Sequence, residues 1–116
     1  MLTIIDADSW APGLYFEKVN EYLETHFEKK DKVVFQPPQI YTRNQLDVPV
    51  LTRVYDLMHT TGHTSQLFSI FGISFPLSNY TLSYSFIKRV GFWDTCPDAI
   101  GEDYHTTQKA FWKSGG

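Results

Sequence analysis

The chain opens on Leu2-Thr3-Ile4-Ile5, an apolar and β-branched run with no charged residue, and then turns acidic at Asp6. Such a run predicts a short strand buried on both faces of a parallel sheet. Past Pro12, the apolar residues Leu14, Phe16, Val19, Tyr22, Leu23 and Phe27 recur mostly at steps of three and four among Glu17, Lys18, Glu21, Glu24 and Glu28. That spacing predicts an amphipathic helix with the proline near its first turn. Lys32 to Phe35 is a second β-rich run. Strand, helix and strand in that order predict a right-handed parallel crossover, hence an α/β class.

Further along, Gln36, Pro37 and Pro38 interrupt the pattern, and residues 40–46 read as a polar loop. Asp47 is placed to cap a helix that has Pro49 in its first turn and runs to about Met58. The polar stretch from His59 to Gln66 fits either a continued helix or a loop. Tyr84, Phe86, Ile87 and Val90 have helical spacing, with Gly91 where a helix stop belongs. A last helix is expected over residues 102–113, ahead of Gly115 and Gly116.

Two parallel strands are few for an α/β domain that binds its ligand at the carboxyl ends of several. The expectation is a single unit, residues 1–116, forming the C-terminal part of a domain whose N-terminal strands are missing upstream. Length agrees with one modest domain. A net charge of -3 gives no basic field for nucleic acid or anionic lipid. The one cysteine, Cys96, has no internal disulfide partner and no paired zinc-site spacing. The longest apolar run, residues 67–77, contains Ser69, Gly72, Ser74 and Pro76 and falls short of the roughly 20 residues needed to span hydrocarbon. With no basic flank or cleavage site at its start either, this segment is expected to be soluble.

Two acidic constellations carry the candidate chemistry. Asp6-Ala7-Asp8 stands at the carboxyl end of the first strand, where two carboxylates can reach a hard divalent cation also held by phosphate oxygens. The structural alternative is that both residues merely end the strand and cap the next helix. A D-x-D after a strand also occurs in haloacid-dehalogenase-type phosphohydrolases, but Ser9-Trp10 does not supply the Thr pattern that follows there. The second constellation is Gly91-Phe92-Trp93-Asp94, then Ala99-Ile100-Gly101-Glu102-Asp103. By itself an acidic pair opening a helix is explained by the helix dipole.

Taken together, Asp6-Ala7-Asp8, the stretch from Phe86 to Asp94 and Gly101-Glu102-Asp103 resemble, in order and spacing, the D-x-D, R-x-G-G-F/W-D and E-D motifs of family 2 glycosyltransferases. The likeness is strongest to the membrane-associated branch of cellulose, chitin and hyaluronan synthases. It implies a partial GT-A (Rossmann-like) domain with a mostly parallel sheet flanked by helices. It also implies inverting transfer from a nucleotide-sugar donor to a carbohydrate or lipid-linked acceptor. On the same grounds Mg²⁺ or Mn²⁺ would be held by Asp8 and Asp6, Asp103 would be the general base, and Glu102 would orient the site. The resemblance further implies a multi-pass membrane parent with a cytosol-facing catalytic domain, attached through segments outside this chain. Two alternatives stay open: a metal-dependent phosphohydrolase, and a non-catalytic fragment of a transferase.

The sequence also departs from those motifs. Phe92 stands where a second Gly is frequent, Gly101 stands where Thr is frequent, and no Gln-x-x-Arg-Trp occurs. His59, His63 and His105 match no common metal spacing, and Trp93 and Trp112 are expected in the core rather than on a sugar face. His105, close to Asp103, is a minor candidate for the metal or diphosphate. Gln36 to Gln39 are candidates for lining the acceptor cleft, and Asn79-Tyr80-Thr81 is a glycosylation sequon.

Overall fold

The computed structural model describes residues 1–42, 44–68, 78–95 and 101–114. Among them are two strands, β1 (Leu2–Ile4) and β2 (Tyr80–Leu82), four α-helices, α1 (Gly13–Thr25), α2 (Val50–Leu67), α3 (Tyr84–Val90) and α4 (Glu102–Ser114), and a 3₁₀ helix at Phe27–Lys29, which takes Phe27 out of the helix expected after Pro12. The 69–77 part of the apolar run, Cys96, Ala99-Ile100, Gly115 and Gly116 lie outside the described residues.

The class is α/β, but the sheet is antiparallel. β1 pairs with β2 in the register Leu2↔Leu82, Thr3↔Thr81, Ile4↔Tyr80. On the other side of β2, Phe35 forms an antiparallel bridge with Thr81 through reciprocal 2.8 Å backbone bonds. β1 and the Phe35 segment therefore run the same way, as a crossover requires, yet they are not neighbours, and the strand expected over residues 32–35 is reduced to the single bridge at Phe35, with Lys32 in a turn. The expected parallel pairing gives way because β2 lies between them and takes up the inward backbone groups of both.

That insertion also corrects the burial expected of β1. Its three residues are only half buried, whereas Tyr80, Thr81 and Leu82 are buried throughout. The two-residue alternation of β2 explains this. Tyr80 and Leu82 face a core completed by Phe86, Ile87 and Val90, against which Leu2, Ile4, Trp93 and Ala110 pack. Thr81 faces the opposite layer, where the Tyr15 hydroxyl of α1 donates to its Oγ1 at 2.7 Å and Thr3 Oγ1 lies 2.9 Å away. Helix α1 thus covers one face of the sheet and α3 with α4 the other.

Helix α3 is short and strongly capped. Ser83 Oγ accepts from the Phe86 amide at 2.9 Å and donates to Asp31, whose carboxylate also receives Ser85. These hydroxyls hold Asp31 below the usual carboxylate range. At the other end Gly91 takes φ 86°, and the bonds Phe92 N–H to Ile87 O and Gly91 N–H to Lys88 O close a left-handed C-terminal turn. Two lysines of α4 finish it, Lys113 Nζ donating to Val90 O and Lys109 Nζ to Gly91 O and Phe92 O, each at 3.0 Å. Cations at a helix C-terminus complement its dipole, and here they also lash α4 to α3.

The chain divides into two units, one made of residues 1–37 and 75–116, the other of residues 38–74. The second contains α2. Its N-cap is Pro49, without a side-chain cap; Asp47, the expected cap, instead donates its amide to Asn44 O in the preceding turn. The helix continues through the polar 59–66 stretch, where Thr61 and Ser65 return their hydroxyls to the carbonyls of Leu57 and Gly62. Leu51, Tyr55, Leu57 and Met58 are exposed along it. Among the described residues, no helix is long and apolar enough to cross a membrane.

Candidate functional site

Both acidic constellations sit in the first unit, and one short corner of the chain connects them. Asp6 and Asp8 lie in the loop that leaves β1, both exposed, and the loop closes on a 2.9 Å bond from Ser9 N–H to Asp6 O. Asn79, immediately before β2, binds that loop twice. Its Oδ1 accepts from the Asp6 amide at 3.0 Å, and its Nδ2 donates to Ser9 Oγ at 3.1 Å. Because β1 and β2 are antiparallel, the exit of one lies beside the entrance of the other, and this adjacency makes both bonds possible.

The neighbouring residue, Ser78, turns the other way. Its amide donates to Asp103 Oδ2 at 3.0 Å. Asp103 stands in the first turn of α4 beside exposed Glu102, and its Oδ1 accepts from the Tyr80 hydroxyl at 3.3 Å. Ser78 and Asn79 therefore hold Asp103 and the Asp6 loop, respectively, at the same end of the sheet. Ser78 reaches this geometry at φ 55°, a left-handed conformation that costs an L-residue with a side chain about 1 kcal/mol. Strain of this kind collects where a backbone group must be aimed.

Tyr80 links Asp103 to the core. Burial is the main cause that pushes its phenol up to about 12; the Trp93 bond opposes the shift, while the negative charge of Asp103 and, more weakly, Glu102 adds to it. The hydroxyl thus keeps its proton throughout the neutral range. Trp93 Nε1–H donates to Tyr80 Oη at 2.8 Å. Trp93 packs against the core, as expected, whereas Trp112 does not: it is 79% exposed on the outer side of α4. The side of α4 turned away from Trp112 carries Thr106, which is buried, and Ala110, which packs on the core.

Two of the three departures from the motifs that the sequence resembles, Phe92 and Gly101, have a backbone counterpart. Phe92 adopts φ 61°, in the region that favours glycine, so the left-handed turn after α3 extends over two residues with only the first a glycine. Gly101 adopts φ 111°, which a β-branched Thr would take only with strain. The glycine before Glu102 is thus the residue this approach to α4 requires.

The remaining candidates are dispersed. His105 Nδ1 lies 3.1 Å from Asp94 Oδ2, and the Asp94 amide donates to Thr106 Oγ1 at 3.0 Å. His59 and His63 belong to α2 in the second unit; His59 lies 3.3 Å from the Tyr41 hydroxyl, and His63 is buried. Gln36 follows Phe35 and leaves the sheet at the end where Asp6 leaves it; Gln39 belongs to the second unit. Among the described residues no group of three or more His, Cys, Asp or Glu side chains is arranged to hold a metal ion.

A family model described as Glycosyl transferase family group 2 matches the chain over residues 1–116. The chain belongs to this glycosyl transferase family. No curated protein and no solved structure matches it. In this glycosyl transferase chain the residues that sequence reasoning missed are Ser78 and Asn79, which tie the acidic clusters together, and Tyr80, which contacts Asp103. A signal for them existed: Tyr80-Thr81-Leu82 is β-prone, but a three-residue strand between Asn79 and Ser83 is too short to show an alternation.

Proposed function

We propose that this chain carries catalytic groups of an inverting glycosyltransferase that moves a sugar from a nucleoside-diphosphate donor to the hydroxyl of a carbohydrate or lipid-linked acceptor. The observation that carries the reading is the Ser78-Asn79 corner, which holds the Asp6 loop with one residue and the Asp103 carboxylate with the next. Family membership supports glycosyl transfer in general and, with it, a GT-A type of domain.

The donor set at the exit of β1 suits a hard cation. Asp6 and Asp8 offer carboxylate oxygens, and Mg²⁺ or Mn²⁺ is commonly held by one or two carboxylates together with substrate phosphates rather than by a complete protein cage. When bound, such a cation would supply charge neutralisation on the leaving diphosphate.

Asp103 supplies the base. The acceptor hydroxyl oxygen forms a bond to the anomeric carbon, the bond from that carbon to the diphosphate oxygen breaks with its electron pair, and the hydroxyl proton passes to a carboxylate oxygen of Asp103. Each carboxylate oxygen has more than one acceptor site, so the bonds from Ser78 and Tyr80 leave room for that proton. Glu102, exposed beside it, orients the acceptor. A single displacement inverts the anomeric centre. Membrane attachment of the parent would come from segments beyond these residues.

The test is to incubate the full-length enzyme with nucleoside-diphosphate sugars and candidate acceptors and follow diphosphate release and product by NMR. Release that requires acceptor and divalent cation, with an inverted anomer, is expected. A retained configuration would refute the displacement, and phosphate release from a phospho-compound without any acceptor would favour a phosphohydrolase.

A further inference from the structure

The proposed base does not stand alone. Three donors from two other parts of the chain are arranged around it: the Ser78 amide on Oδ2, the Tyr80 hydroxyl on Oδ1 and, behind Tyr80, the Trp93 indole N–H. A phenol has one proton to give. Because Trp93 Nε1–H donates to Tyr80 Oη at 2.8 Å, one lone pair of that oxygen is occupied and the hydroxyl proton is left to point at Asp103. The indole can only donate, so the direction of the chain is fixed as Trp93 to Tyr80 to Asp103.

Each member is held firmly. Tyr80 is 3% exposed and paired across the sheet with Ile4; Trp93 is packed on the core directly after the left-handed turn that ends α3. Lys109 on α4 binds the carbonyls of that turn, and α4 is also the helix that bears Asp103. The base and the source of its orienting donor are thus fastened by the same helix, which keeps their separation constant.

We propose that Tyr80 and Trp93 are positioning residues for Asp103, a donor relay that fixes the plane of its carboxylate for proton acceptance. This inference rests on Asp103 being the base. A carboxylate held by one donor rotates about its Cβ–Cγ bond; donors on both oxygens stop that rotation. Catalytic groups lose rate steeply when their geometry loosens by a few tenths of an ångström or 10–20°, roughly. Neither Tyr80 nor Trp93 has to touch the sugar for this role.

The experiment is steady-state kinetics of Tyr80→Phe, Trp93→Phe, the double variant and Asp103→Asn in the full-length enzyme, each with a thermal unfolding midpoint. Tyr80→Phe is expected to lower kcat about tenfold, the equivalent of one ordinary hydrogen bond, with KM for the donor sugar unchanged. Trp93→Phe is expected to lower kcat in the same way. The double variant should be no slower than Tyr80→Phe, because without the hydroxyl the indole has nothing to orient. A merely structural role predicts instead that the two losses multiply and follow the loss of unfolding midpoint, and that result would overturn the relay. Wild-type kcat in both single variants, with Asp103→Asn inactive, would overturn the relay while leaving the base in place; an active Asp103→Asn would remove the base itself. If Tyr80→Phe fails to fold, kcat and KM of Trp93→Phe decide alone.

Discussion

Asp103→Asn is expected to lower turnover of the full-length enzyme by about 10²–10⁴-fold, the range that a positioned acid or base commonly contributes. The substitution keeps the size and plane of the side chain and removes the capacity to accept a proton. Its amide can present an oxygen to only one of its two donors, the Ser78 amide or the Tyr80 hydroxyl. The other donor loses its acceptor, at a cost to stability of about 1 kcal/mol. A thermal melt measures that loss separately from catalysis. Nucleotide affinity is expected to persist, since the Asp6 loop is held by Asn79 rather than by Asp103. Turnover near the wild-type rate would contradict the assignment.

Ile87→Ala is expected to cost about 2–5 kcal/mol, the range for truncating a fully buried aliphatic side chain. Ile87 is 0% exposed and stands where β2, α3 and α4 meet, so the cavity has no route to collapse without moving one of them. Its backbone is also committed, because Ile87 O receives the Phe92 amide in the turn that leads to Trp93. Ile87→Val should cost only about 1 kcal/mol. Chemical denaturation of both variants measures the pair, and an alanine variant as stable as the valine variant would show that the core lies elsewhere.

The helices were legible because their signals are local. The spacing of Tyr84, Phe86, Ile87 and Val90 and the glycine behind them specify α3 and its left-handed stop, and the three- and four-residue steps after Pro12 specify α1. Strand partnership is not local. The pattern placed residues 2–5 and 32–35 in strands running the same way, of which the second is reduced to a bridge at Phe35, but nothing in either segment announced that Tyr80–Leu82 would slot between them. That one insertion turned a parallel pairing into two antiparallel ones and moved the doubly buried position from β1 to β2.

The candidate site divides along the same line. The positions of the acidic residues were legible, Asp6 and Asp8 where a strand ends and Glu102 and Asp103 where a helix begins, while their candidate roles came from the resemblance to family motifs. What joins them was not, because it consists of the Ser78 backbone amide and the Asn79 side chain, whose roles depend on tertiary position. Asn79 illustrates this: in sequence it is part of a sequon, whereas in the fold its side-chain amide bridges Asp6 and Ser9. The 79% exposure of Trp112 shows the converse, an aromatic whose type suggested the core and whose place on α4 keeps it out.

The account depends on the exit of β1 and the start of α4 serving one reaction centre. Anomalous diffraction from crystals of the full-length enzyme grown with Mn²⁺ and a nucleoside diphosphate tests this most directly. The account predicts a manganese peak bound by Asp8 or Asp6, with the diphosphate between it and Asp103. A peak held by other residues, or a diphosphate lying away from Asp103, would contradict it.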